Sequence, residues 1–297
     1  MQPIIGVDVG GADLPEEHLI SFCKDLEQDF GLKVYSSTPV ANITLCSEVI
    51  TMDDDPLRAA RQKKDSTLVR AIADLRAEEI DALLTCGHTG AVTAASVLYL
   101  KTFEHLHHPG LVALLPHRVA ILDVGAFITA TTLDLFNYVC LGNSFGRIVL
   151  GIECPKIGLL NIGRESGRGT QELRELDRWL KSYTSARWQY CGNVEPASIF
   201  SHAVDVVVTN GFTGNIFLKT AEGMARGSLA TFIDSQSEGA LLAGVRGAVI
   251  KSHGASSKEG FVQAIHQAAA YARNGVCKRL ESEYASYSQE RESFSSI

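Results

Sequence analysis

The chain has 297 residues, 45% of them hydrophobic and 21% charged, with a formal net charge of -7. A chain of this length can bury a large core, and its composition is ordinary for a globular protein. The acidic balance argues against a nucleic-acid surface, which needs a basic face. Seven cysteines stand far apart, at 23, 46, 86, 140, 154, 191 and 277, with no C-x-x-C pair. That spacing fits a reduced cytoplasmic protein without a disulfide framework or structural zinc.

The first strand, Pro3 to Val9, begins almost at the N-terminus and leaves no room for a signal peptide. Glu16 to Phe30 reads as a helix with Leu19, Ile20, Cys23 and Leu26 on one face. Short strands follow near Lys33 and Ile43. Asp53-Asp-Asp-Pro56 starts a helix with acids at its positive end, and Ser66 caps the next one. Strand and helix then alternate to Lys251. A last helix from about Lys258 carries Phe261, Ile265, Ala268, Ala272, Val276 and Leu280 at helical spacing. Residues 1–281 read as one α/β domain, and the Ser- and Glu-rich 282–297 as a disordered tail. No apolar run approaches the roughly 20 residues of a membrane-spanning helix.

Six apolar runs end in loops of Gly, Asn, Ser, Thr or His that lead into helices. They are Leu84 to Gly90, Ile121 to Ala126, Gly158 to Gly163, Tyr190 to Glu195, Asp205 to Glu222 and Val249 to Ser257. Continuous Val, Ile and Leu predict strands buried on both faces, hence a Rossmann-like, mostly parallel sheet with helices on both sides. The loops of such a sheet gather along one edge, where helix N-termini receive anions. Neither G-x-x-x-x-G-K-[ST] nor G-x-G-x-x-G occurs, so no nucleotide fingerprint is present.

Taken in order, Leu122-Asp-Val-Gly-Ala126, Gly158 to Gly163, Gly192-Asn-Val-Glu195, Val206 to Asn215, Leu218-Lys-Thr220 and Val249 to Gly254 closely resemble the PlsX family. Arg58 to Lys64 falls where that family has its basic helix. The resemblance covers about Ile5 to Val276. It implies an acyl-[acyl-carrier-protein]:phosphate acyltransferase of phospholipid synthesis, which makes acyl phosphate from a carrier-protein thioester and inorganic phosphate. It also implies a fold related to phosphotransacetylases, a homodimer and no cofactor. Localisation would be cytoplasmic, with peripheral membrane contact and a downstream membrane acyltransferase as partner.

Four positions depart from the family pattern. Its opening D-x-M-G-G-D reads Asp8-Val-Gly-Gly-Ala-Asp13, so Ala12 replaces a Gly; His88 and Phe127 replace Asn, and Asn210 replaces Asp. Between Arg226 and Gly239 only a short segment stands where the family has a longer helical excursion, too short for a projecting, membrane-inserting hairpin.

Phosphate is itself a nucleophile, so the reaction needs a held dianion and a stabilised oxyanion rather than a covalent intermediate. Lys251, His253, Asn215 and His88 are the catalytic candidates. Phosphate or substrate contacts are expected from Gly87, Thr89, Gly90, Asp123, Asn193, Asn210, Gly211, Thr213, Gly214, Ser256 and Ser257. A His can protonate the leaving thiolate, and Asn193 and Asn215 can donate to the oxyanion. Asp8, Asp13 and Asp123 serve equally well as turn formers and caps. Cys86 reads as a buried structural thiol and His105-Leu-His-His108 as a solvent-facing loop, leaving no metal site. Arg58, Arg61, Lys63 and Lys64 can dock an acidic carrier protein. Two alternatives keep the fold: a coenzyme A-dependent phosphate acyltransferase, and a non-catalytic protein that binds acyl carrier or acyl phosphate.

Overall fold

The computed structural model describes residues 2–24, 26, 30–201, 203–226, 239–252 and 257–295. His253 and Ser256, and the shortened segment at 227–238, lie outside the described residues. The chain divides into two compact units, 1–102 with 237–278, and 103–236 with 279–297. Residues 1–281, read above as one domain, fall in both units.

The first unit opens with strand β1 (Ile4–Asp8), helix α1 (Glu16–Cys23), β2 (Gly31–Ser36) and β3 (Thr44–Leu45). It continues through α2 (Pro56–Gln62), α3 (Thr67–Arg76), β4 (Ala82–Thr85) and α4 (Thr89–Tyr99). The second unit holds β5 (Gly110–Leu115), β6 (Val119–Leu122), α5 (Thr132–Phe145), β7 (Lys156–Leu160), α6 (Gln171–Ser182), β8 (Gln189–Val194), α7 (Pro196–Ile199), β9 (Val206–Val208) and α8 (Gly211–Arg226). The chain then returns to the first unit with β10 (Gly239–Ala243), β11 (Val249–Ser252) and α9 (Lys258–Arg273). Helices α10 (Val276–Ala285) and α11 (Ser288–Ser295) follow.

In the first unit the strands run β3-β2-β1-β4-β11-β10. All pairs are parallel except β10 with β11. The core strands are apolar on both faces: Ile5, Val7, Leu83, Leu84, Val249 and Ile250 are fully buried. Helices cover both sides of such a sheet, with α1 and α9 packed together. Asp55 caps α2 by accepting from Arg58 N, and Ser66 caps α3 by accepting from Val69 N. The C-terminal ends of β1, β4 and β11 therefore share one edge.

In the second unit the order is β5-β6-β9-β7-β8, with only β5 and β6 antiparallel. Val206, Val207 and Val208 are fully buried, as a central strand requires. Helix α5 packs on β6 and β9 and touches α6.

The segment expected to be a disordered tail folds instead. Tyr284 and Tyr287 are 1% and 0% exposed. Tyr284 Oη donates to Asn137 Oδ1 at 2.9 Å, and Asn143 Nδ2 donates to Tyr287 Oη at 2.6 Å. The Phe294 ring stacks on Phe136 with centroids 4.4 Å apart. Aromatic burial outweighs the polar composition that suggested disorder.

Candidate active site

In the first unit, β4 ends at Thr85 and turns through Cys86, Gly87 and His88 into α4. His88 caps that helix: its Nδ1 accepts from Ala91 N at 3.3 Å, which leaves the ring proton on Nε2. Thr89 and Gly90 are the first two residues of α4, where backbone N–H groups favour an anion. Lys251 stands on the neighbouring strand in register with Thr85. Its Nζ donates to Cys86 O at 3.4 Å and to Ser252 O, which brings a positive charge to the same turn. Gly87, His88, Thr89, Gly90 and Lys251 are thus brought together. Ser257 caps α9, accepting from Gly260 N at 3.1 Å.

Cys86 is fully buried, and burial pushes its thiol up to about 12. A thiol so held is inert as a nucleophile.

The N-terminal turn shows which glycines matter. Gly11 has φ 68°, and a Cβ there would fall 2.3 Å from Ile50 O. A Cβ on Gly10 would fall 2.2 Å from Thr67 Oγ1. Both positions demand glycine.

The network that sequence reasoning missed lies beneath these turns. Asp8 is 1% exposed; its Oδ2 accepts from Thr85 Oγ1 at 2.7 Å and its Oδ1 from Gly10 N at 3.1 Å. Burial raises the Asp8 carboxyl from 3.8 to about 6, against bonds from Thr67, Thr85 and Gly10 that pull it down. The available signal was a Thr closing an otherwise apolar strand, Ala82-Leu-Leu-Thr85.

In the second unit, Asp123 follows β6 and is fully buried. Its carboxylate accepts four backbone N–H bonds, from Leu111, Gly125, Ala126 and Phe127, at 2.9 to 3.0 Å. Burial pushes this carboxyl up, and those donors pull it back. Asp123 clamps the 123–127 loop. Asn210 caps α8 through Thr213 N at 2.9 Å, while the Thr213 side chain is exposed. A Cβ on Gly214 would fall 1.9 Å from Asp123 O, and one on Gly211 would fall 2.3 Å from Phe127 O. Both glycines let α8 start against the loop. The amide end of Asn215 lies beside Gly125. Asp123, Asn210, Gly211, Gly214 and Asn215 therefore form one cluster. Asn193 does not join it. It stands on β8, two strands from β9, or about 10 Å away, and donates to Glu165 O at 3.3 Å.

The departures from the family pattern keep local structure intact. Asn caps as well as the Asp it replaces. His88 supplies the acceptor an Asn would supply. Phe127 keeps its backbone bond to Asp123 and packs its ring on His108, with centroids 4.3 Å apart. His108 in turn bonds Asp134 at 3.0 Å. Among the described residues no group of three or more His, Cys, Asp or Glu is arranged to hold a metal.

Gly142 to Gly146 spells G-x-S-x-G, the pattern of a strand-to-helix nucleophile elbow. Here it lies in α5, and the buried Ser144 Oγ donates to Cys140 O at 2.9 Å. It is helix interior.

The basic stretch divides by role. Arg58 and Arg61 are exposed, with Arg58 Nε bonded only within its own helix, to Gln62, among the bonds described. Lys63 Nζ is held by Asp54 at 2.7 Å and Val49 O at 2.8 Å. Lys64 Nζ donates to Tyr99 Oη and lies 4.9 Å above that ring.

A family model described as fatty acid synthesis protein matches residues 34–236. A phosphate acyltransferase of Macrococcus caseolyticus is 36% identical over 269 aligned positions, covering 80% of this chain and 82% of that protein. One of Pseudoalteromonas atlantica is 32% identical over 314 positions, covering 94% and 91%. Among solved structures, a phosphotransacetylase from Streptococcus pyogenes aligns with TM-score 0.61 at 15% identity, over 91% of this chain and 94% of that one. A branched-chain phosphotransacylase from Enterococcus faecalis gives 0.60 at 15%, over 92% and 99%. These two likenesses concern the fold. On its sequence relationships, the chain belongs to the fatty acid synthesis protein family, PlsX.

Proposed function

We propose that the protein is a phosphate acyltransferase that moves a fatty acyl group from an acyl-carrier-protein thioester to inorganic phosphate. The observation that carries this reading is its 36% identity to a phosphate acyltransferase across 82% of that protein. A phosphate oxygen attacks the thioester carbonyl; the new C–O bond forms, the C–S bond breaks, and the thiolate leaves with a proton. Lys251 and the amides of the 87–90 turn hold the phosphate charge. His88, with its ring proton on Nε2, can hydrogen-bond the leaving sulfur, and the proton the thiolate takes up is the one hydrogen phosphate gives up on forming the acyl phosphate.

No helix among the described residues is long and apolar enough to cross a membrane. We assign the protein to the cytoplasm as a homodimer, with Arg58 and Arg61 as the docking face for an acidic carrier protein. Incubation with acyl-carrier protein thioester or acyl-CoA and phosphate, followed by hydroxylamine trapping, tests the reading. Acyl hydroxamate formed only with phosphate supports it. Its absence with both donors would show a binding protein, and formation from acyl-CoA alone would reassign the donor.

A further inference from the structure

Asp8 and Thr85 join the two turns of the first unit through a relay of hydrogen bonds. Thr85 Oγ1 donates to Asp8 Oδ2 at 2.7 Å and accepts from Gly87 N at 3.2 Å. A hydroxyl has one proton, and Asp8 takes it, so the oxygen lone pair is turned toward the Gly87 amide. Gly10 N bonds the second carboxylate oxygen at 3.1 Å. Thr67, the first residue of α3, adds a side-chain bond. The turns also touch directly: a Cβ on Gly87 would lie 3.1 Å from Gly10 O and 3.7 Å from Asp8 Oδ2. Asp8, Thr67 and Thr85 are all at most 1% exposed, so none of them meets a ligand from solvent.

Three buried polar groups at a strand edge are costly unless mutually bonded, and here the bonds converge on one turn. That turn leads into α4 and lies beside the charge of Lys251. Resting on the phosphate acyltransferase reading, we propose that Asp8 and Thr85 are positioning residues for phosphate. The carboxylate orients the Thr85 hydroxyl, the hydroxyl fixes the Gly87 amide, and the 87–90 turn is thereby held in the conformation that receives the dianion.

The test uses calorimetric titration of the full chain with inorganic phosphate, alongside steady-state kinetics. Thr85→Val keeps the shape and removes the hydroxyl; it should weaken phosphate binding by about ten-fold while leaving the KM for acyl donor within about two-fold. Thr85→Ser restores the hydroxyl and should bind within about three-fold of the parent. Asp8→Asn keeps one acceptor and should fall between them; if Thr85→Val does not fold, this variant decides alone. Unchanged phosphate affinity in a folded Thr85→Val or Asp8→Asn protein overturns the proposal. So does an equal loss for phosphate and acyl donor that tracks a lowered Tm, as a merely structural role would give, or a parent chain that binds no phosphate. A parent that binds phosphate yet makes no acyl phosphate would overturn the functional reading alone.

Discussion

Lys251 and Thr85 are register partners on the adjacent parallel strands β11 and β4, at the edge where β4 turns into α4. Side chains at paired positions share a face of the sheet, so the lysine charge and the Thr85 relay serve the same turn. Lys251→Ala should raise the phosphate KM and cut turnover by about ten-fold or more, a loss of about 1.5–3 kcal/mol for a charge-assisted contact. Kinetics at varied phosphate check this. An unchanged phosphate dependence would remove Lys251 from the site.

Asp8 predicts a pH signature. Its carboxyl is raised from 3.8 in the open chain to about 6 in the fold, chiefly by burial. Between those values the folded state holds a proton that the unfolded chain has released. The stability contributed by this group is therefore greatest below about pH 4 and falls as pH rises through 6, by about 3 kcal/mol in all. Asp8→Asn removes the titration. Urea unfolding from pH 4 to 7 should show a flatter stability curve for the variant, and parallel curves would contradict the assignment.

The alternation of strand and helix was legible because Val206-Val-Val208 and Ala82-Leu-Leu84 are apolar without a break, as doubly covered strands must be. The helix starts at Ser66 and Asp55 were legible from cap chemistry. The two-unit division was not, since no linker marks it: the chain leaves the first unit after Thr102 and re-enters it by Ser237. Polar side chains were the harder case. Asn210, Ser257 and His88 read as ligand contacts, and each also caps a helix. Asp123 read equally as a ligand contact and as a turn former, and its oxygens accept backbone N–H groups of its own loop and of Leu111. The Asp8–Thr85 pair joins residues 77 positions apart, which no local pattern reveals.

The C-terminal helices are integral to the second unit. Tyr287→Phe leaves the Asn143 amide without its phenolic acceptor and should cost about 1–3 kcal/mol. Truncation after Glu281 removes both buried tyrosines and should destabilise the chain far more. Thermal unfolding checks both. A truncated chain as stable as the parent would show that the tail is dispensable.

The proposed docking face and the contacts that hold the fold separate within the basic stretch. Arg58→Glu with Arg61→Glu should weaken association with an acidic carrier protein and flatten its salt dependence, without altering stability. Lys63→Glu instead breaks the pair with Asp54 and should cost about 1 kcal/mol of stability. Binding at low and high salt distinguishes them. Equal binding by the double Arg variant would place the docking face elsewhere.

Formation of the acyl–phosphate bond tests the central claim most directly. Acyl-carrier-protein thioester labelled in the acyl group is incubated with the protein, with and without inorganic phosphate, and the products are trapped with hydroxylamine. Labelled acyl hydroxamate should accumulate with phosphate, stay at background without it, and fall by about ten-fold or more with Lys251→Ala. Hydroxamate at background under every condition, from a folded chain that binds the thioester, would contradict the account.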